Sequence, residues 1–217
     1  MSTTSTRCDP SMYVPPVFAE TDQETLHQFI QEHSFATLVS SDGGAPCGSH
    51  LPLLLDRKAG ARGTLIGHMA RANGQWRQAQ GRQVLAIFHG PQAYISAACY
   101  GVKNSVPTWN YVAVHASGTF HLRSDPTEVR EILQKYVAFY EAPSPQAWSL
   151  ERPDAEFVDR LLDGIVGFEI PIDHIEGQWK LNQNHDRTRR QRVVDALRAR
   201  GGDDEMQIAE LMSKTLP

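Results

Sequence analysis

FATLVSSDGGAPCGSHLPLLLD, Phe35 to Asp56, is the stretch on which the fold turns. Small and branched apolar residues lie on both sides of Asp42-Gly43-Gly44, and that triplet supplies the positive backbone angles a tight turn needs. FATLVSS and SHLPLLLD are therefore expected to pair as two antiparallel strands. A parallel pair would need a long crossover, usually a helix, and none fits between them.

Upstream, Thr21 to Glu24 reads as a capping box with Leu26, Phe29 and Ile30 at helical spacing behind it, which predicts a helix near 22–33. Downstream, Gly63 to His68 reads as a third strand, Asn73 to Gln80 as a helix, and QVLAIFHG as a buried strand ended by the breaker Gly90-Pro91, with AYIS as a candidate continuation of the sheet. A long strand is expected over Tyr111 to Leu122. Asp125-Pro126 then starts a helix holding Val129, Ile132, Leu133 and Tyr136, which should end near Glu141, before Pro143 and Pro145. APSPQAWSLERP is a loop by its prolines, and Phe157 to Leu162 suggests a short helix.

IVGFEIPIDHI alternates with Val166, Phe168, Ile170 and Ile172 on one face, as a half-buried strand should. DRTRRQRVVDALRAR is helical with Val193, Val194 and Leu197 inward, and a short amphipathic tail closes at Pro217. Six or more strands joined by short turns, with helices at the start, middle and end, predict an α+β fold built on a mainly antiparallel barrel.

At 217 residues and 41% apolar composition the chain can fill a sizeable core. Its 21 Lys and Arg against 25 Asp and Glu give a net charge of −4, without the basic footprint of a dedicated nucleic-acid binder. Cys8, Cys47 and Cys99 form no CxxC pairing, which fits a reducing cytoplasm. MSTTSTRCDP lacks the apolar core of a signal peptide, and no apolar run reaches the roughly 20 residues that span a bilayer, so a cytoplasmic protein without a membrane partner is expected. The nine histidines show no HExxH or HxH spacing, and no metal is expected. Gly-rich phosphate loops and the GxSxG elbow are missing too.

Four segments carry candidate chemistry. GHMARANGQW, Gly67 to Trp76, places Arg71 and Asn73 at a strand-to-helix junction, where they suit an anionic phosphate or simply cap a helix facing water. His68 beside them is open to three roles: proton carrier, hydrogen-bond partner or satisfied core histidine. VPTWNYVAVH sets Trp109, Asn110 and Tyr111 after a proline, placed either to stack on a ring system or to pack a core or an interface. QWKLNQN, Gln178 to Asn184, gathers one cation and four amides around one leucine, either as a ligand-facing strand end or as a solvated turn. The six arginines from Arg187 to Arg200 could meet DNA phosphates or form a solvated face.

Taken in order, MYVPPVF, FATLVS, SHLPLLLD, GHMARAN, VPTWNY and KLNQN resemble the PaiB-like family of flavin mononucleotide (FMN)-binding split-barrel proteins, over roughly Met12 to Leu197. The resemblance implies a mainly antiparallel split β-barrel with peripheral helices: a flexible leader over 1–11, the FMN-binding domain over 12–200 and a helical tail over 201–217. It also implies a homodimer with FMN at the interface and a role in negative transcriptional regulation, the alternative being a flavin-dependent oxidoreductase acting on a small molecule.

By similarity to pyridoxamine phosphate oxidases, Ser49, His50, Leu51 and Pro52 would lie along the isoalloxazine edge. Arg71 and Asn73, with His68 nearby, would face the phosphate. Trp109, Lys180, Gln183 and Asn184 would close over the ring from the partner subunit. Catalytic residues are unassigned, with His68 or His50 as the candidate proton carrier if the protein is an enzyme. The sequence departs from the family pattern at Gly74, usually proline, at Asn182, usually serine, and at Ala98-Cys99, where a proline and an aromatic residue are usual.

Overall fold

The computed structural model describes residues 12–216, and the leader expected over 1–11 lies outside the described residues. The fold is α+β, a mainly antiparallel split β-barrel sheet of nine strands with six helices among the described residues. In chain order these are β1 (Ala19–Glu20), α1 (Gln23–Glu32), β2 (Phe35–Ser40), β3 (Cys47–Pro52), β4 (Leu54–Asp56), β5 (Thr64–Ala70), α2 (Gln75–Ala79), β6 (Gln83–Ile95), β7 (Thr108–Thr119), β8 (His121–Arg123), α3 (Pro126–Glu141), α4 (Ala155–Asp163), β9 (Ile165–Lys180), α5 (Arg187–Arg200) and α6 (Asp203–Lys214). The strand order is β3-β2-β6-β7-β9-β5-β4, with β1 and β8 also paired to β9.

The chain divides into two compact units. The larger comprises Gln23–Phe88 and Ala116–Ile175. Its β2 and β3 form the expected hairpin, with Phe35 opposite Pro52 and Ser40 opposite Cys47. β2 also pairs with the start of β6, and β5 pairs with the first half of β9 from Thr64 opposite Pro171 to Ala70 opposite Ile165. The alternation in β9 does what its period requires: Val166, Phe168 and Ile170 are wholly buried and Ile172 nearly so. Phe168 stacks on Phe120 with ring centroids 4.6 Å apart, and a Cβ at Gly67 would stand 2.2 Å from its Cζ, so only glycine fits there on β5. α3 begins where Asp125 caps it, its carboxylate accepting from the amides of Thr127 and Glu128.

The smaller unit comprises, among the described residues, 12–22, His89–His115 and 176–216. Its β1 pairs with the end of β9, Ala19 opposite Gln178. α5 buries Val193, Val194 and Leu197, as its sequence predicts, and packs on α6, which buries Ile208, Ala209 and Met212.

Three local expectations are corrected. β6 runs through Gly90-Pro91 to Ile95 instead of stopping there. Its ladder with β2 ends at Phe88, so on that side the missing amide hydrogen of Pro91 interrupts no ladder. SHLPLLLD is two strands, broken at Leu53, whose amide bonds the Ser34 carbonyl at 2.8 Å. The helix expected over 73–80 shrinks to the five residues Gln75–Ala79, stopped by an extended Gln80 and by Gly81 at φ +69°.

Candidate functional site

In the larger unit, β3 and the end of β5 wall a groove of about 430 Å³ lined by Ser49, His50, Leu51, Pro52, His68, Met69, Ala70, Asn73 and Ile165. β3 has β2 on one side only in the strand order, so among the described residues its outer edge pairs with no further strand, while its Cys47 and Pro52 carbonyls accept from Gln75 and Tyr136. Asn73 ties the groove together. Its Nδ2 donates to Ser49 Oγ at 2.8 Å, and its Oδ1 accepts from the Gln75 amide at 3.0 Å, capping α2. The Ser49 hydroxyl, already accepting, keeps its own proton for another partner. His50 bonds Thr37 Oγ1 through Nδ1 at 3.0 Å, leaving Nε2 on an exposed side chain.

His68 is half-buried, and its Nδ1 is a buried atom with no hydrogen-bond partner among the described residues. Burial lowers its pKa below the ordinary value of 6.5, because the charged ring would lose hydration without a compensating acid. The edge of the Tyr136 ring packs against it, centroids 4.7 Å apart at 76°. Tyr136 in turn donates its hydroxyl to the Pro52 carbonyl at 2.7 Å, with the Ile66 carbonyl also in reach at 3.0 Å. One buried phenol therefore fixes β3 to β5 directly beneath the histidine. Burial, with Tyr140 adding to it, pushes this phenol's pKa upward and keeps it a donor.

Arg71 sits next to the groove and is partly committed elsewhere. Its Nε donates to the Asp163 carbonyl at 2.7 Å and its Nη2 to the Ile165 carbonyl at 2.9 Å, while its amide bonds the Gly164 carbonyl at 2.8 Å. Among the described residues nothing accepts from Nη1, so one face of the guanidinium and its charge remain. Gln75, 2% exposed, places its Nε2 3.0–3.2 Å from the carbonyls of Leu38 and Cys47 and from Ser40 Oγ, fastening the turn end of the β2–β3 hairpin.

The remaining sequence candidates lie in the smaller unit. Trp109 is 52% exposed and meets Tyr94 edge-on at 5.7 Å. Lys180 Nζ donates to Thr108 Oγ1 at 2.7 Å and stands 5.8 Å from the Tyr111 ring centroid, and partial burial lowers its pKa. Gln183 closes a local turn, accepting from the Leu181 amide at 2.7 Å and donating to the Trp179 carbonyl. Asn184 is exposed.

The structure thus gathers Ser49, His50, Leu51, Pro52, His68 and Asn73 in one groove and adds Met69, Ala70 and Ile165, which the sequence did not single out. Tyr136 was legible as a buried helix position, but its hydroxyl partners come from strands far away in sequence. Among the described residues no cluster of three or more His, Cys, Asp or Glu could hold a metal, and no helix is long and apolar enough to cross a membrane.

Residues 12–174 match the family model described as "Putative FMN-binding domain". The chain is 36% identical over 209 residues to the Protease synthase and sporulation protein PAI 2 of Bacillus subtilis, covering 94% of this chain and 98% of that one. Among solved structures it is similar to the flavocytochrome Anf3 of Azotobacter vinelandii, with TM-score 0.58 at 16% identity over 75% of this chain and 69% of that one. The FAD and heme binding protein of Mycobacterium smegmatis aligns with TM-score 0.54 at 14% identity, over 75% and 73% of the two chains.

Proposed function

The chain belongs to the FMN-binding domain family, and from that premise we propose that it is a cytoplasmic, homodimeric flavoprotein that holds FMN in the groove of its larger unit and acts as a negative transcriptional regulator. The observation that carries the flavin assignment is the groove itself. Leu51, Pro52, Met69 and Ile165 give it apolar walls, while Ser49 keeps a hydroxyl proton and His68 a buried, unpartnered Nδ1. An isoalloxazine has the matching chemistry: a flat apolar ring at one end and a row of hydrogen-bonding atoms at the other.

In this assignment the free edge of β3 and Ser49 meet the polar rim of the ring, and Asn73 holds Ser49 in place. Arg71, through its remaining Nη1 face, gives charge to the phosphate. The five-residue α2 is too short to contribute a helix dipole, so side chains carry that task. Trp109, Lys180, Gln183 and Asn184 of the partner subunit would complete the ring's enclosure. Bound flavin would supply reversible electron transfer, and the protein supplies position and electrostatics.

The regulatory half of the proposal rests on the similarity to a protease synthase and sporulation protein. The arginines of α5 favour regulation through a ligand or a partner over direct DNA contact by that helix. Arg190 is buried and bonded to Thr215, and Arg192, Arg198 and Arg200 donate to Tyr100, Ser213 and Tyr94. A gel shift at low salt that responds to arginine replacement in α5 would reverse this preference.

Titrating FMN into flavin-free protein tests the cofactor claim. A saturable change in flavin absorbance and a rise in melting temperature are expected, with S49A and N73A each weakening binding about tenfold, roughly one hydrogen bond. A colourless protein whose melting temperature ignores FMN would sink it.

The state of His68 favours a second reading, a flavin-dependent oxidoreductase. A neutral imidazole with an unpartnered nitrogen in the groove is suited to carry a proton to or from a ring-bound substrate. Turnover with a nicotinamide donor that H68Q abolishes in protein kept saturated with FMN would establish it. Flavin that no donor reduces would dismiss it.

A further inference from the structure

The smaller unit has a groove of its own, about 470 Å³, lined by Tyr100, Lys103, Asn104, Ser105, Val106, His185 and Arg189. It shares no residue with the flavin groove. We infer that it is a second binding site, for a phosphate-sized oxyanion, either free or as the terminal group of a small phosphate ester.

The first argument is charge. Lys103 and Arg189 bring two cations, His185 an imidazole, and among the described residues no carboxylate lines the walls. Asp186, next to His185 in the chain, is turned to other work: its Oδ1 caps α5 by accepting from the Arg189 amide at 3.0 Å, and its Oδ2 stands 3.5 Å from Arg189 Nε. That contact orients the guanidinium and leaves its Nη pair to bind in the two-pronged way that suits phosphate and carboxylate oxygens.

The second argument is a buried donor. Tyr100 is 2% exposed, and its hydroxyl accepts from Asn182 Nδ2 at 3.1 Å, so its own proton has no acceptor among the described residues. Burial raises this phenol's pKa, which keeps the proton in place as a donor. A buried hydroxyl without an acceptor is costly, and an anion in the groove would relieve it.

The third argument is rigidity. The loop that carries Lys103 to Val106 is anchored at both ends. Gly101 sits at φ +64° on top of Arg192, whose Nη1 donates to the Tyr100 carbonyl at 3.0 Å; a Cβ at Gly101 would stand 2.4 Å from that nitrogen. Ser105 Oγ lies within 3.1 Å of the Ala97 and Val102 carbonyls, folding the loop back on itself. On the opposite wall the His185 ring packs at 5.0 Å against Tyr100. Prearranged donors lose little freedom on binding, which is what a small polar ligand requires.

Inorganic phosphate and ribose 5-phosphate, each titrated into the FMN-loaded full chain against chloride of matched ionic strength, test the inference, with backbone amides followed by NMR. Saturable shifts confined to residues 100–106 and 185–189 are expected, at least about tenfold weaker in K103Q/R189Q and several-fold weaker in Y100F, with FMN affinity unchanged in both. Tighter binding of the sugar phosphate would assign the site to an ester, and equal binding to the free ion; either supports it. Shifts that chloride reproduces, that persist in both variants, or that map to residues 71–73 would overturn it. So would shifts seen only before FMN is added, which would make the groove part of the flavin site.

Discussion

Asn182 holds the left-handed conformation at φ +60°, the only non-glycine residue among those described to do so, and it is buried against Tyr100. Asparagine tolerates this region better than other L-residues, and its amide here also reaches the phenol. N182A should lose about 1–2 kcal/mol in urea unfolding, and N182G less, because glycine keeps the backbone free and gives up only the hydrogen bond. Equal losses would show that the backbone angle is irrelevant. Gly74 is the opposite case. It sits at φ −65°, ψ −12°, with no atom of a described residue beyond its own chain surroundings within 4 Å of where a Cβ would be, so G74A should stabilise by roughly 0.4–1 kcal/mol through the unfolded chain. The departure from the family pattern at Gly74 was visible in the sequence, but its harmlessness depends on empty space that only coordinates reveal.

At the scale of elements, α2 is too short to persist alone and is held by what it fastens. Gln75 reaches three acceptors on β2 and the start of β3, so Q75A should cost about 1–3 kcal/mol and speed amide exchange at Leu38 to Cys47. Unchanged exchange there would mean the hairpin holds its own end. α6 shows a different dependence. Ile208 is fully buried on α6, which packs against α5, and I208A should cost about 2–5 kcal/mol as a core truncation. These elements were legible to different degrees. α3, with Asp125 and Pro126 at its start, was readable from one end to the other, since caps and apolar period are local signals. The run of β6 past Pro91 was not, because whether proline ends a strand depends on which neighbour needs its amide.

At the scale of the whole molecule, four histidines share a direction. Burial lowers the pKa of His33, His68, His115 and His185 below 6.5. Glu32 opposes the shift at His33 and Glu176 at His115, while Arg189 adds to it at His185. In each case the unfolded chain binds the proton more readily than the folded one, so stability rises with pH through this range. It should be nearly flat above about pH 7 and fall as pH drops through 6.5 toward the depressed folded values. Urea midpoints between about pH 5 and 8 read this above the main carboxylate titrations, and H68Q should shallow the slope. FMN at about a hundred times its dissociation constant should add roughly 2.7 kcal/mol if the folded state alone binds it.

The sequence by itself determined the α+β antiparallel class, the β2–β3 hairpin, and the inward faces of β9 and α5. These follow from local rules: side-chain period, capping residues and turn glycines act within a few positions. Tertiary structure alone decided that the Tyr136 hydroxyl joins β3 to β5, that Arg71 gives part of its guanidinium to the start of β9, and that four of the α5 arginines bond other parts of the protein. Each is a hydrogen bond to a partner that folding brings close, and a donor's residue type does not say which acceptor will arrive.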